Sequence, residues 1–238
     1  MLYLSHVVLD TQSRTTGRAL ADLYALHQLV YSAFTDADPG TLGRVLFRLD
    51  TSPAGDAALL VQSQQAPDWD RLTGKIACVR GPKVWEPQFE VGQQLRFRLR
   101  ASPTKRIPLP RGHPQAGHQR RGLLTSLEQE QWLSRQGERC GFALCATPPG
   151  WFDPFGEEEP KSAVQIVSLG HLKGYKPNPS AARPTTVTHL AVDFDGVLRV
   201  TDAVAFATTV AAGLGTGKGF GFGLLSVSRL KWPLVSRI

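Results

Sequence analysis

Residues 94–100 read Gln94-Leu95-Arg96-Phe97-Arg98-Leu99-Arg100, and apolar and arginine side chains alternate along this stretch without a break. Successive side chains of a strand point to opposite faces of a sheet, so the pattern predicts an antiparallel strand with one apolar and one arginine face. Solvated arginines on such a face need no partner, whereas a phosphate-binding face would use the same side chains. The strand alone slightly favours the solvated interpretation.

The elements around this strand predict two similar halves, each with strands that flank helices. In the first half, Leu23, Leu26, Val30 and Phe34 form an apolar stripe on a helix over 18–34. The other predicted elements are strands over 2–9, 45–49, 57–62, 162–169, 186–200 and 224–227, and helices over 125–137 and 202–212. This order predicts an α+β protein made of two sandwich-like units.

Composition suits a folded, basic protein. The chain has 238 residues, 42% of them hydrophobic, and a net charge of +7 in which arginine predominates. Arginine binds phosphate through a planar fork, which points toward nucleic acid as a partner. Three cysteines are too few for a disulfide framework. Because the N-terminus lacks a signal-peptide pattern and no apolar stretch reaches about 18 residues, we expect a cytoplasmic protein without a membrane span.

A glycine-rich run stands near the C-terminus and reads Gly213-Leu214-Gly215-Thr216-Gly217-Lys218-Gly219-Phe220-Gly221-Phe222-Gly223. Glycine lets backbone approach a ligand closely, and successive N–H groups can cradle an anion. The run fails as a nucleotide-binding P-loop, because Ala212 replaces its first glycine, Gly219 replaces its Ser or Thr, and a helix precedes it. A tight loop where a helix and a strand pack closely is the structural alternative.

Tyr24 and His27 are the candidate proton-transfer pair. They lie three residues apart on the first helix, which puts both on one face, and histidine titrates near neutral pH. A structural role for such a histidine is the more common one. His113, His118, Cys140 and Cys145 match no common zinc spacing, so we expect no metal and no cofactor.

Basic residues are concentrated in two segments. The first, over 103–122, is rich in proline and glycine and is interpreted as a linker or flexible loop. The second is the predicted loop between the strands over 162–169 and 186–200, which carries Lys173, Lys176 and Arg183. A third predicted loop, over 147–161, is proline-rich and acidic.

Three of these stretches, in their order along nearly the whole chain, resemble the CRISPR-associated endoribonuclease CasE family. They are Tyr24-Ala25-Leu26-His27, the strand from Leu95 that continues through Ser102-Pro103-Thr104-Lys105-Arg106, and the run from Gly213 to Leu225. The resemblance implies two tandem ferredoxin-like (RRM-like) domains with antiparallel sheets. We expect them at residues 1–103, with the Tyr24/His27 helix, and 104–238, with the basic and glycine-rich loops.

The resemblance also implies an activity. The family member would be a metal-independent endoribonuclease that cleaves CRISPR repeat RNA at the 3′ side of its hairpin and leaves a 2′,3′-cyclic phosphate. It would stay bound to the crRNA and to other Cascade subunits. His27 would be the principal acid/base and Tyr24 its helper, while which proton His27 transfers stays open. Expected RNA-binding residues are Lys105, Arg106, Arg120, Arg121, Lys173, Lys176, Arg183, Gly215, Gly217, Lys218 and Gly219. The alternative is a non-catalytic scaffold that binds RNA hairpins.

Overall fold

A computed structural model of the chain describes residues 1–34, 42–108, 118–146, 164–181 and 183–230. The first half contains β1 (Leu2–Leu9), α1 (Arg14–Ala21), α2 (Leu23–Tyr31), β2 (Val45–Thr51), β3 (Ala57–Ser63) and β4 (Ile76–Trp85). The second half contains β5 (Gln94–Ala101), β6 (Thr104–Pro108), β7 (His118–Gly122), α3 (Ser126–Cys140), β8 (Phe142–Leu144), β9 (Val164–Lys176), β10 (Thr185–Val200), α4 (Ala203–Ala212) and β11 (Leu225–Arg229). The predicted α+β class with antiparallel sheets is confirmed.

The first sheet has the strand order β2-β3-β1-β4, and every neighbouring pair is antiparallel. Its inner face packs against α1 and α2 in one apolar core. The predicted stripe of Leu23, Leu26, Val30 and Phe34 is buried throughout, as its helical spacing indicates. Leu26, Val30 and Phe34 face this core, whereas Leu23 packs against Ala191 and Phe222 of the second half.

The predicted single helix over 18–34 is wrong in one respect, because it is two helices that meet at Asp22. The Asp22 backbone is extended, with φ −140° and ψ 117°. Its carboxylate accepts hydrogen bonds from the backbone N–H groups of Tyr24 (2.7 Å) and Ala25 (3.2 Å). A side chain that satisfies these free N–H groups starts a new helix, so α2 begins beside Tyr24 and His27.

The second sheet has the order β11-β5-β10-β8, and β9 also pairs with β10. Phe97 and Leu99 of β5 face a core that α3 and α4 complete. The opposite face carries the three arginines, which pair with carboxylates of β10. Arg96 and Arg98 contact Asp195, and Arg100 contacts Asp193 at 2.7 Å. The solvated interpretation holds for Arg96 and Arg98, whose side chains are 65% and 51% exposed, but not for Arg100, whose side chain is 13% exposed.

The chain passes from the first sheet to the second between Trp85, the end of β4, and Gln94, the start of β5. Strand β5 pairs with β10 and β11, although the expected boundary after residue 103 assigns it to the first domain. Alternation along 94–100 predicts a strand but carries no information on which partner the strand takes. We therefore propose the domain boundary before β5.

Two basic segments that were expected to be loops contain strands. Within 103–122, β6 and β7 pair in antiparallel register as a separate two-stranded sheet, so the linker interpretation is wrong for the described part. Strand β9 runs seven residues beyond its predicted end at 169, which places Lys173 and Lys176 in β9, whereas β10 matches its prediction to within one residue and Arg183 stays outside the strands. The acidic segment 147–161 lies outside the described residues. None of the described helices is long and apolar enough to cross a membrane.

Candidate active site

The glycine loop, residues 213–223, joins α4 to β11 and lies against β2 of the first sheet. Gly213 has φ +75°, and a Cβ added there would stand 2.7 Å from Leu46. Gly221 has φ +87°, and its added Cβ would stand 3.1 Å from Phe47. Both positions have a left-handed backbone and too little room for a Cβ, so both require glycine. The tight-loop interpretation is therefore correct for these two glycines, which let the loop touch the other sheet.

His27 of α2 meets this loop directly. Its Nδ1 lies 2.8 Å from the carbonyl oxygen of Gly219, 192 positions later in the chain. A carbonyl oxygen only accepts hydrogen bonds, so Nδ1 carries the proton in this contact. In the neutral ring, Nε2 then has a free lone pair. The site therefore holds a histidine that is oriented by backbone and has a basic nitrogen available.

Aromatic rings surround His27. The ring centroid of Tyr24 lies 5.9 Å from that of His27, one helical turn away as predicted. Tyr31 is closer, at 4.1 Å, and Phe220 of the glycine loop lies at 5.7 Å. Burial raises the pKa of the Tyr31 hydroxyl, and the charge of Arg44 offsets part of that rise. These rings restrict how the imidazole can rotate.

Lys218 and Arg44 add positive charge to the site. The Lys218 Nζ donates to the carbonyl oxygen of Ala212, the last residue of α4, at 2.9 Å. Burial, and then the neighbouring charge of Arg44, lower the pKa of the Lys218 ammonium. Arg44 stands directly before β2 and two positions before Leu46, the residue that a Cβ on Gly213 would meet. Lys218 directly precedes Gly219, the partner of His27, and the charge of Arg44 acts on both Lys218 and Tyr31.

The β6–β7 hairpin brings four expected RNA-binding residues together. Lys105 pairs with Arg121 and Arg106 pairs with Arg120 across the two strands, and all four side chains are exposed. Residues directly opposite each other share a face, so each face carries two cations. The Lys105 Nζ lies 3.2 Å from Glu128, which leaves the other three as the freer cations of the hairpin.

The remaining expected RNA-binding residues belong to β9, to the segment after it and to the glycine loop. Lys173, Lys176 and Arg183 are exposed along and beyond β9. Strand β9 approaches the start of α2, because a Cβ added at Gly174 would lie 2.7 Å from the Tyr24 backbone nitrogen. Gly215, Gly217 and Gly219 belong to the glycine loop, and whether they touch RNA stays a prediction.

Sequence reasoning gave no role to four residues of this region, although it placed Tyr31 on the same flank of the helix as His27. Tyr31 follows His27 by four positions, so helical periodicity identifies it as a neighbour. Phe220 lies inside the glycine run, and its spacing gives no hint of a contact with His27. Arg44 and His189 carry no local signal, because only the meeting of the two sheets brings them here.

The described residues contain no group of three or more His, Cys, Asp or Glu side chains that could hold a metal ion. His113, one of the four residues considered for zinc, lies outside the described residues. Cys78, Cys140 and Cys145, all within them, are free.

Comparisons with known proteins identify the family of this chain. A family model described as "CRISPR associated protein" matches residues 2–229. The CRISPR-associated endoribonuclease Cse3 of Thermus thermophilus is 33% identical over 228 residues, which cover 95% of this chain and 100% of that protein. The Cascade subunit CasE of Escherichia coli is 29% identical over 235 residues, covering 96% of this chain and 100% of that protein.

A solved structure of Thermus thermophilus Cse3, bound to an RNA that represents a pre-cleavage complex, superimposes with a TM-score of 0.75. It is 33% identical, and the match covers 95% of this chain and 98% of that one. This likeness confirms the expected pair of ferredoxin-like domains. The chain belongs to the CRISPR-associated endoribonuclease family of the Cse3/CasE type.

Proposed function

We propose that this protein is a metal-independent endoribonuclease that cleaves CRISPR repeat RNA at the 3′ side of its hairpin. The observation that carries the proposal is the contact between His27 Nδ1 and the Gly219 carbonyl, because it leaves Nε2 as a base. Membership of the Cse3/CasE family supplies the substrate class, since a relative of this fold is solved with a pre-cleavage RNA. The proposed reaction uses only groups of the protein and of the RNA, together with water.

The chemistry begins with a proton transfer from the RNA. His27 Nε2 accepts the proton of a ribose 2′-OH, and that oxygen attacks the adjacent phosphorus. The bond from phosphorus to the 5′-oxygen breaks, which leaves a 2′,3′-cyclic phosphate and a 5′-oxyanion. This oxyanion takes a proton from water to become the 5′-hydroxyl, and the hydroxide formed is neutralised by the proton that His27 releases. Tyr24 helps to orient the histidine, and Lys218 and Arg44 stabilise the negative charge that builds on the phosphoryl oxygens. DNA lacks the 2′-OH and is not cut.

The basic surfaces bind the stem of the RNA hairpin. Double-stranded RNA is recognised mainly through its shape and backbone, so exposed cations on a projecting hairpin suit it. Arg106, Arg120 and Arg121 of the β6–β7 hairpin, assisted by Lys105, are the main candidates. Lys173, Lys176 and Arg183 extend the positive surface along β9. The product hairpin stays bound, and the complex joins the other Cascade subunits, as the named role of the Escherichia coli relative suggests.

We also propose a cytoplasmic location. CRISPR RNA is made and processed beside the genome, and the three free cysteines suit a reducing compartment.

Cleavage in excess EDTA is the decisive test. A hairpin RNA from the cognate repeat should be cut by the wild type without divalent metal, and His27→Ala should lower the single-turnover rate by roughly 10²–10⁴-fold. Replacing the 2′-OH by hydrogen at the mapped cleavage nucleotide should block cutting while the dissociation constant stays within about twofold. His171→Ala, which changes an exposed histidine on β9, is the matched control.

Two results would contradict the proposal. Cleavage that depends on magnesium would exclude the metal-independent route. Tight binding of the cognate hairpin with no cleavage under any condition would support the alternative, an RNA-binding scaffold in which His27 is structural.

A further inference from the structure

His189 lies on β10, on the side that faces the first half of the molecule. It shares this face with Ala191, which packs against Leu23 of α2 and Phe222 of the glycine loop. The His189 ring centroid lies 5.2 Å from that of Phe222 and 5.7 Å from that of Phe220. The side chain is half-buried and is therefore held among the residues of the loop.

His189 contacts both ends of one short turn. Within the glycine loop, Lys218–Phe220 form a 3₁₀ turn that Gly217 precedes. A Cβ added at Gly217 would lie 3.1 Å from His189 Cε1 and 3.3 Å from its Nδ1, so the ring touches the start of the turn. Phe220, which the same ring contacts, ends the turn. The imidazole thus packs against the segment that contains Gly219.

The same turn holds His27. Gly219 supplies the carbonyl that accepts the Nδ1 proton of His27, and the Phe220 ring lies 5.7 Å from the His27 ring. Phe220 therefore stands between two histidines, with His27 on α2 and His189 on β10. A change in the His189 packing would move the Gly219 carbonyl and the Phe220 ring together.

The shape of the His189 ring, rather than its nitrogens, makes these contacts. Among the residues that the structure describes, neither of its nitrogens forms a hydrogen bond. Burial lowers the pKa of His189, and the charge of Arg120 on β7 lowers it further. A neutral ring packs against phenylalanine without the cost of burying a charge.

We propose that His189 is a positioning residue for the cleavage reaction, which supports the Gly217–Phe220 turn so that the Gly219 carbonyl fixes the orientation and tautomer of His27. The inference rests on the proposed function. His189 acts on His27 through the turn rather than by direct contact.

Three variants separate ring shape from hydrogen bonding. His189→Phe keeps a flat ring, His189→Gln keeps polar atoms without a ring, and His189→Ala removes both. We expect the alanine and glutamine variants to cleave cognate hairpin RNA at least about tenfold more slowly at saturating protein, with the dissociation constant within about twofold of the wild type. His189→Phe should restore most of the rate. His171→Ala is the matched control, because His171 lies on the adjacent strand opposite Leu190, whose side chain points to the other face.

A spectroscopic readout is independent of cleavage. Long-range ¹H–¹⁵N spectra of the imidazole nitrogens, with His27 assigned by its loss in His27→Gln, should show the Nδ1–H tautomer in the wild type and in His189→Phe. In His189→Ala or His189→Gln the His27 signals should shift toward a mixture of tautomers. Thermal unfolding confirms that each variant is folded, and the glutamine variant carries the test if the alanine variant is not.

The possible results are distinct. A wild type that fails to cut the RNA contradicts the proposed function. If the wild type cuts, wild-type rates and an unchanged His27 tautomer in the folded glutamine variant overturn the role of His189. A phenylalanine variant as slow as the glutamine variant also overturns it, because ring packing would then not be the cause.

Discussion

Gly217 and Gly219 stand two positions apart in the glycine loop, yet only one of them requires glycine. Gly217 has φ +77°, and an added Cβ would press on His189 and Phe222 at 3.1 Å. The nearest atom to a Cβ on Gly219 is His27 Nδ1 at 3.6 Å, an ordinary contact. Alanine at 217 should therefore lower the free energy of unfolding by about 1–3 kcal/mol, from the left-handed backbone and the crowding.

Gly219→Ala is the matched control for this substitution. Urea unfolding should place it within about 0.5 kcal/mol of the wild type, since its backbone and surroundings accept a methyl group. Equal losses in the two variants would show that the loop rejects any added side chain, whatever the backbone conformation.

The Tyr24/His27 spacing shows what a local pattern can predict at the scale of single residues. The helix places the two rings one turn apart, and the structure has them stacked at 5.9 Å. The partner of His27 is 192 positions away, and so no local pattern identifies the Gly219 carbonyl. Because that partner decides which nitrogen of the neutral ring carries the proton, the free lone pair on Nε2 follows only from the three-dimensional contact.

Among the elements, prediction succeeded where hydrophobic periodicity is strong and failed where pairing decides. The period of α2 and the alternation of β5 each reflect a buried face, and both elements exist. Strands β6 and β7 have no such apolar face, since they carry exposed cations, and they gain stability from pairing with each other. No periodic pattern therefore predicts them. The helix break at Asp22 is also missed by periodicity, because a single capping side chain is enough to end one helix and start the next.

The β6–β7 hairpin should govern the salt dependence of RNA binding. If Arg106 and Arg120 contact phosphates, Arg106→Ala/Arg120→Ala should weaken hairpin binding and reduce the slope of log K against log salt by about 1–2. The measurement is a binding titration of catalytically inactive His27→Ala protein from about 50 to 200 mM salt. Cutting chemistry then does not affect the result.

A double variant on α3 provides the comparison for the hairpin. Arg135 and Arg139 are exposed in the second half of α3, beyond the first turn in which Glu128 contacts Lys105 of the hairpin. Arg135→Ala/Arg139→Ala removes the same net charge and should leave the slope nearly unchanged. Equal slopes in the two double variants would mean that net charge, rather than the hairpin, attracts the RNA.

The whole molecule works as one unit because buried polar contacts join its two sheets. Arg48 of β2 is 4% exposed and donates to the Arg98 carbonyl at 3.2 Å and to the Ser226 hydroxyl at 2.7 Å. The active site uses the same junction, since His27 comes from the first half and Gly219 from the second. We therefore expect the stability of the junction and the geometry of the site to be coupled.

Gln62 of β3 offers the sharpest test of that coupling. It is 2% exposed, and its Nε2 donates to the Val210 carbonyl of α4 at 2.8 Å. Leucine fits a similar volume but leaves that buried carbonyl without this donor, so Gln62→Leu should cost about 1–3 kcal/mol in urea unfolding. The single-turnover cleavage rate should fall as well, because α4 leads into the glycine loop. Gln165→Leu, at an exposed position on β9, should change neither quantity. A Gln62→Leu protein that loses stability but cleaves at the wild-type rate would show that the junction holds the halves together without setting the position of His27.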